Sequence, residues 1–66
     1  MNIMVNGKTK NVKSNYTAQQ LLSDMGFAGK RVAVELNMEI VPRSNYAQTF
    51  IADGDKIEIV RAIGGG

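Results

Sequence analysis

Three glycines, Gly64, Gly65 and Gly66, follow directly on an apolar run that ends at Ile63. They have no side chain to pack, and ordering them costs more backbone entropy than ordering other residues. The chemical group such a segment offers is the carboxylate of Gly66, carried on a stalk slim enough to enter a narrow channel in a partner's active site. Residues 62–66 are therefore expected to form a flexible tail on a single domain spanning 1–66. From Ala62 to Gly66 an extended chain reaches roughly 15 Å, at about 3.3 Å per residue. A carboxylate is a poor electrophile, because its charge and resonance repel nucleophiles. ATP can activate it as a mixed acyl-adenylate. Attack by a sulfur donor then gives a thiocarboxylate, a good nucleophile and a portable form of sulfide. The competing reading is a frayed terminus without a role.

No other constellation in the chain suits catalysis. There is no histidine and no cysteine among the 66 residues. That removes the usual general base, the commonest metal ligands and any thiol nucleophile or disulfide. Ser14, Ser23 and Ser44 have no histidine to activate them. Asp53 and Asp55 flank Gly54, and a turn explains them better than a pair of acid–base carboxylates. Neither a bound cofactor nor a metal is expected. The hydrophobic content of 44% is that of a globular chain rather than a disordered one. Eight Lys and Arg against six Asp and Glu leave a net charge of +2, too small an excess to argue for nucleic acid. No apolar run is long enough for a membrane span, and the amino terminus does not resemble a signal peptide, so a cytoplasmic location is expected.

The elements that must position the tail are legible in sequence. Met1 to Val5 alternates, with Met1, Ile3 and Val5 on one face of a strand. Asn6-Gly7 is a strong hairpin signal, because both turn positions call for positive φ. Lys8 to Lys13 is the returning strand, with Val12 as its core contact and lysines that blunt an exposed edge. Ser14-Asn15 breaks it. Thr17 and Gln20 have the spacing of a capping box. Ala18, Leu21, Leu22 and Met25 then form a helical stripe at i, i+3, i+4 and i+7. Gly26 stops the helix, and Phe27 is expected to fold back beneath it. Val32 to Leu36 is a strand, Asn37-Met38 a tight turn, and Glu39 to Val41 a short strand that Pro42 ends. Ser44 to Ile51 reads as a short helical turn around Tyr46, with Phe50 and Ile51 buried. Asp53-Gly54-Asp55 is a turn, and Lys56 to Arg61 the last strand, with Ile57 and Ile59 facing in and Glu58 out.

Strands embracing one helix imply an α+β architecture, a mixed sheet of about four to five strands wrapped on one main helix. A chain this short buries its core only if the first and last strands lie side by side at the sheet centre, which is the β-grasp or ubiquitin-like arrangement.

The order of these segments resembles the ThiS family, the sulfur carriers of thiamine biosynthesis. The resemblance covers essentially the whole chain. It rests on Ile3-Met4-Val5-Asn6-Gly7, Ala18-Gln19-Gln20-Leu21-Leu22 and Val32-Ala33-Val34-Glu35-Leu36-Asn37. It continues through Ile40-Val41-Pro42-Arg43 and Asp53-Gly54-Asp55-Lys56-Ile57-Glu58-Ile59 to the terminal Gly65-Gly66. It implies a protein co-substrate rather than an enzyme, monomeric when free. A ThiF-type activating enzyme would adenylate Gly66 with ATP. A cysteine desulfurase would supply sulfur indirectly, and thiazole synthase (ThiG) would take it. Gly65 and Gly64 would give the slim approach. Ile63, Val60 and Arg61 would meet partners, with Arg43 as a further candidate; the alternative for Val60 is a half-buried strand position, and for the arginines a solvated surface. Two other readings stay open: another ubiquitin-like sulfur carrier, such as the small subunit of molybdopterin synthase, and a TGS-like β-grasp module that binds RNA.

Overall fold

A computed structural model of the protein describes residues 1–61; the expected tail, 62–66, and with it Ile63, Gly64, Gly65 and Gly66, lies outside the described residues. Strands β1 (Asn2–Val5) and β2 (Lys8–Asn11) form the hairpin. Its turn has Asn6 at φ 51° and Gly7 at φ 82°, the conformation the Asn-Gly pair favours. Regular pairing of β2 stops at Asn11, but the Val12 N–H still donates to the Met1 carbonyl at 2.8 Å and Val12 is buried. Helix α1 (Ala18–Asp24) starts on the anticipated capping box. The Gln20 N–H donates to Thr17 Oγ1 at 3.2 Å, and the Thr17 N–H donates to Gln20 Oε1 at 2.9 Å. At the other end Gly26 adopts φ 82°. There the Gly26 and Phe27 N–H groups donate to Ser23 and Leu22 carbonyls at 3.1 and 2.7 Å. Two such back-bonds satisfy the orphan carbonyls of the last turn as a Schellman motif, and Phe27 is thereby folded against the core.

The main sheet contains β1 and β2 with β4 (Val32–Leu36), β5 (Glu39–Val41) and β7 (Lys56–Arg61), in the order β2-β1-β7-β4-β5. The first and last strands are neighbours and run parallel, pairing Met4 with Lys56 and Val5 with Ile57. All other neighbours in the sheet are antiparallel. This is the expected β-grasp. The inward residues of the sheet and the α1 stripe share one core, in which Ile3, Leu21, Val34 and Ile57 are the large side chains almost wholly removed from solvent.

Residues 14–51 hold what sequence periodicity did not anticipate. Tyr16–Thr17 (β3) and Phe50–Ile51 (β6) make a second, two-stranded sheet, pairing Tyr16 with Ile51 and Thr17 with Phe50. The helical turn around Tyr46 is a 3-10 helix, Arg43–Gln48. Ile51 is buried as expected, but Phe50 is 62% exposed, which corrects the expectation that it joins the core. In a two-residue strand the side chains point to opposite faces, so seating Ile51 turns Phe50 outward.

The buried Tyr16 hydroxyl donates to the carboxylate of Asp24, tying β3 to the end of α1. Burial, reinforced by this hydrogen bond and by the Asp24 charge, pushes the Tyr16 pKa from 10.0 to about 12. A pKa raised on folding contributes stability that is whole below the unfolded value and is lost as pH rises through the folded one. Chemical denaturation should therefore show a loss of stability between about pH 10 and 12 that Tyr16→Phe abolishes. At pH 7 the same variant should be less stable by about 1.5–3 kcal/mol, the range for a hydrogen bond to a charged group.

In the β4–β5 turn Asn37 and Met38 both have positive φ, 51° and 70°, and Met38 is 88% exposed. Asparagine tolerates that region readily, whereas methionine occupies it at a cost. Met38→Gly should raise stability by about 0.5–1 kcal/mol, measured as a shift of the urea midpoint with unchanged slope.

Candidate functional site

Strand β7 carries the chain toward residues 62–66, and its position is held from both sides. It lies between β1 and β4 in the sheet centre. Ile57 and Ile59 anchor it in the core, at 1% and 5% exposure. The hairpin turn clamps it as well: the Ile59 N–H donates to Asn6 Oδ1 at 2.7 Å, and the Asn6 N–H donates to the Ile57 carbonyl at 2.9 Å. Beyond Ile59 the strand stays paired, Val60 with Ala33 and Arg61 with Val32. The last described residue of β7 therefore leaves a fixed point of the sheet, not a loose loop.

Alternation along β7 turns Lys56, Glu58 and Val60 onto the sheet face away from the core. Val60 is 59% exposed and Arg61 is exposed beside it. Ile40 on β5 (70% exposed) and Met4 on β1 (38%) lie on the same open face, because their neighbours Val41, Ile3 and Val5 face inward. Glu35 sits between Glu58 and Ile40 in the register. The open face thus carries Val60, Ile40 and Met4 around a charged strip of Glu35, Glu58 and Lys56, with Lys56 opposite Met4 in the register. Sequence reasoning singled out Val60 and missed Ile40 and Met4, although the same alternation implies both. Of the anticipated site residues, Val60 and Arg61 lie together at the end of β7; Ile63, Gly64, Gly65 and Gly66 are outside the described residues. Arg43 is exposed at the start of the 3-10 helix.

The carboxylates of the 53–55 turn are engaged in holding the fold. Asp53 Oδ1 accepts from the Asn2 N–H at 2.8 Å. Asp55 accepts from the Ala52 N–H at 2.7 Å and from Asn37 Nδ2 at 3.0 Å. Among the described residues no group of three or more His, Cys, Asp and Glu is placed to hold a metal ion, and no helix is long and apolar enough to cross a membrane.

Comparison with known proteins adds four findings. The ThiS family model matches residues 3–66. The sulfur carrier protein ThiS of Bacillus subtilis (strain 168) is 40% identical over 65 residues, covering 97% of this chain and 98% of that protein. The crystal structure of the thiamine biosynthesis protein ThiS from Geobacter metallireducens superposes with a TM-score of 0.87 at 38% identity, covering 100% of both chains. A thiazole synthase of Paramagnetospirillum magneticum is 48% identical over 66 residues. Here the likeness is partial: the chain spans about a fifth of the length of the two thiazole synthases it matches.

Proposed function

The chain belongs to the ThiS family, and on that premise we propose that it is a sulfur carrier of thiamine biosynthesis whose working group is the carboxylate of Gly66. The observation that carries this reading is the family match over residues 3–66, which includes the three final glycines. In the proposed cycle a Gly66 carboxylate oxygen attacks the α-phosphorus of ATP in a ThiF-type activating enzyme, and pyrophosphate leaves. The acyl-adenylate is then attacked at its carbonyl carbon by a sulfur nucleophile drawn from cysteine through a desulfurase. With a cysteine persulfide as that nucleophile, AMP departs to leave an acyl disulfide. A thiol then attacks the donor's sulfur, the S–S bond breaks, a donor–thiol disulfide forms, and the thiocarboxylate remains on Gly66. Thiazole synthase takes the sulfur. The protein performs none of these steps itself, binds no cofactor of its own and works in the cytoplasm beside the ATP its activation consumes.

The structure supports the division of labour this requires. A carrier must present one reactive carbon to two different active sites, so its fold has to be rigid up to the point where the slim segment begins. Pairing of β7 with β1 at Lys56 and Ile57, and with β4 as far as Arg61, supplies that rigidity. The exposed Val60, with Ile40 and Met4 on the same face, offers apolar area for a partner to cover, and Arg61 a charge at its rim. Gly64 and Gly65 let the carboxylate pass a narrow channel, and Ile63 adds an apolar contact next to it. The similarity to part of two thiazole synthases supports thiazole synthase as the acceptor.

The test is the intact mass of the protein after incubation with ATP, magnesium, a ThiF-type enzyme, a cysteine desulfurase and cysteine. The expected gain is one sulfur in place of one oxygen, located on Gly66 by fragmentation. An unchanged mass with an enzyme mixture that loads another ThiS protein would refute the proposal.

A further inference from the structure

On the α1 side of the molecule, away from the open sheet face, α1, the 26–30 loop and the 3-10 helix enclose a cleft of about 370 Å³. We propose that this cleft binds a small organic phosphate, a phosphomonoester whose ester group is a flat apolar ring. The shape follows from the helix end. The Schellman stop at Gly26 folds Phe27 back, and a tight turn closed by the Lys30 N–H on the Phe27 carbonyl at 2.9 Å returns the chain toward β4. Leu22, Phe27 and Tyr46 supply apolar and aromatic surface to the cleft. Tyr46 is steadied by its hydroxyl, which donates to the Val32 carbonyl at 3.4 Å.

The polar lining consists of donors suited to an anion. Lys30 and Arg43 bring two full positive charges from different elements, and Gln19 and Ser23 add an amide and a hydroxyl from one face of α1. No aspartate or glutamate is among the lining residues. An ammonium and a guanidinium together offer more N–H groups than a single carboxylate can use, and match the three terminal oxygens of a phosphomonoester. A bare phosphate would leave the aromatic wall uncovered, whereas a ring of phenyl size stacks against it. The volume lies at the lower end of the range for small-molecule sites, which limits the ligand to about one ring and its phosphate. Occupation leaves Val60, Arg61 and the open face clear, and of the candidate partner contacts it engages Arg43.

Amide-resolved NMR titration of the full chain with phenyl phosphate tests this, with inorganic phosphate and phenol as separate arms. The expected result is saturable shifts confined to Gln19, Ser23, residues 27–30, Arg43 and Tyr46, with a Kd on the order of 1 mM or tighter. Each half-ligand should bind at least about tenfold more weakly, since each lacks either the charge-assisted bonds or the stacking. A Lys30→Gln, Arg43→Gln double variant should lose at least about tenfold in affinity. The charge-matched Lys8→Gln, Lys10→Gln variant on β2 should bind unchanged. Overturning results are an absence of saturable shifts in the wild-type chain, shifts centred on the β2 lysines, or equal affinity in the two double variants. Binding of inorganic phosphate as tight as that of phenyl phosphate would also overturn the assignment to an organic ligand.

Discussion

Deletion of Gly65 and Gly66 is expected to abolish sulfur loading while leaving the melting temperature within about 4 °C of the full chain's. The two halves of this result have separate physical causes. Every residue of the buried cluster lies between Ile3 and Ile59, so the deletion removes no core contact found among the described residues. Loading, in the proposed carrier cycle, would in contrast require the terminal carbon to reach an active site that the folded domain cannot enter. Shortening the stalk by two residues withdraws the carboxylate by roughly 6–7 Å, at about 3.3 Å per residue. Gly66→Ala separates reach from fit. It keeps the carboxylate at full reach but adds a methyl group where the channel must be narrow, and a displacement of about 1 Å at a reacting centre can cost about 100-fold in rate. Mass spectrometry of the loading reaction reads both variants. Full loading of the truncated chain would refute the carrier proposal. Retained function together with salt-dependent nucleic-acid affinity would instead favour a binding module.

The second large effect is expected in the core. Leu21→Ala should destabilise the protein by about 2–5 kcal/mol. Leu21 is 1% exposed and belongs to the cluster that joins α1 to Ile3, Val34 and Ile57 in the sheet. Truncation removes buried methyl groups and leaves a cavity that neighbouring β-branched side chains, stiff at χ1, fill poorly. A domain of this size has a total stability of only about 3–10 kcal/mol, so the loss is a large share of it. Thermal melts followed by circular dichroism should show a midpoint lowered by about 10 °C or more. Leu21→Met, which nearly conserves volume, should cost less than about 1.5 kcal/mol. A Leu21→Ala melt within 3–4 °C of wild type, roughly half a kcal/mol, would show that this core is not the source of stability.

Much of the fold was legible because its signals are local. The Asn6-Gly7 turn, the Thr17–Gln20 box and the Gly26 stop each declare themselves within a few residues, since each solves a backbone problem in place: a positive φ, two orphan donors, the last carbonyls. The 3.6-residue spacing of Ala18, Leu21 and Leu22, and the two-residue spacing of Ile57 and Ile59, likewise identify buried faces without reference to the rest of the chain. The centre of the sheet was reached by a different route, from the need of a short chain to bury its core. Phe50 shows where such reasoning fails. Hydrophobicity alone assigned it to the interior, but its orientation depends on pairing with Thr17, more than thirty residues earlier. Of the candidate site, Val60 and Arg61 could be singled out beforehand from their place before the glycines. Ile40 and Met4 could not be joined to them until the register was known.

The sequence by itself therefore determined the local units, α1 and its capped ends, and a composition without histidine or cysteine, which is why the proposed carrier reading turns to the carboxylate of Gly66. Tertiary structure alone decided which apolar residues remain outside the core, which strands clamp β7, and how Lys30 and Arg43 come to line one cleft. The reason lies in range. Turn, cap and periodic signals are paid out over a few consecutive bonds, whereas the exposure of a side chain depends on which distant segment covers it.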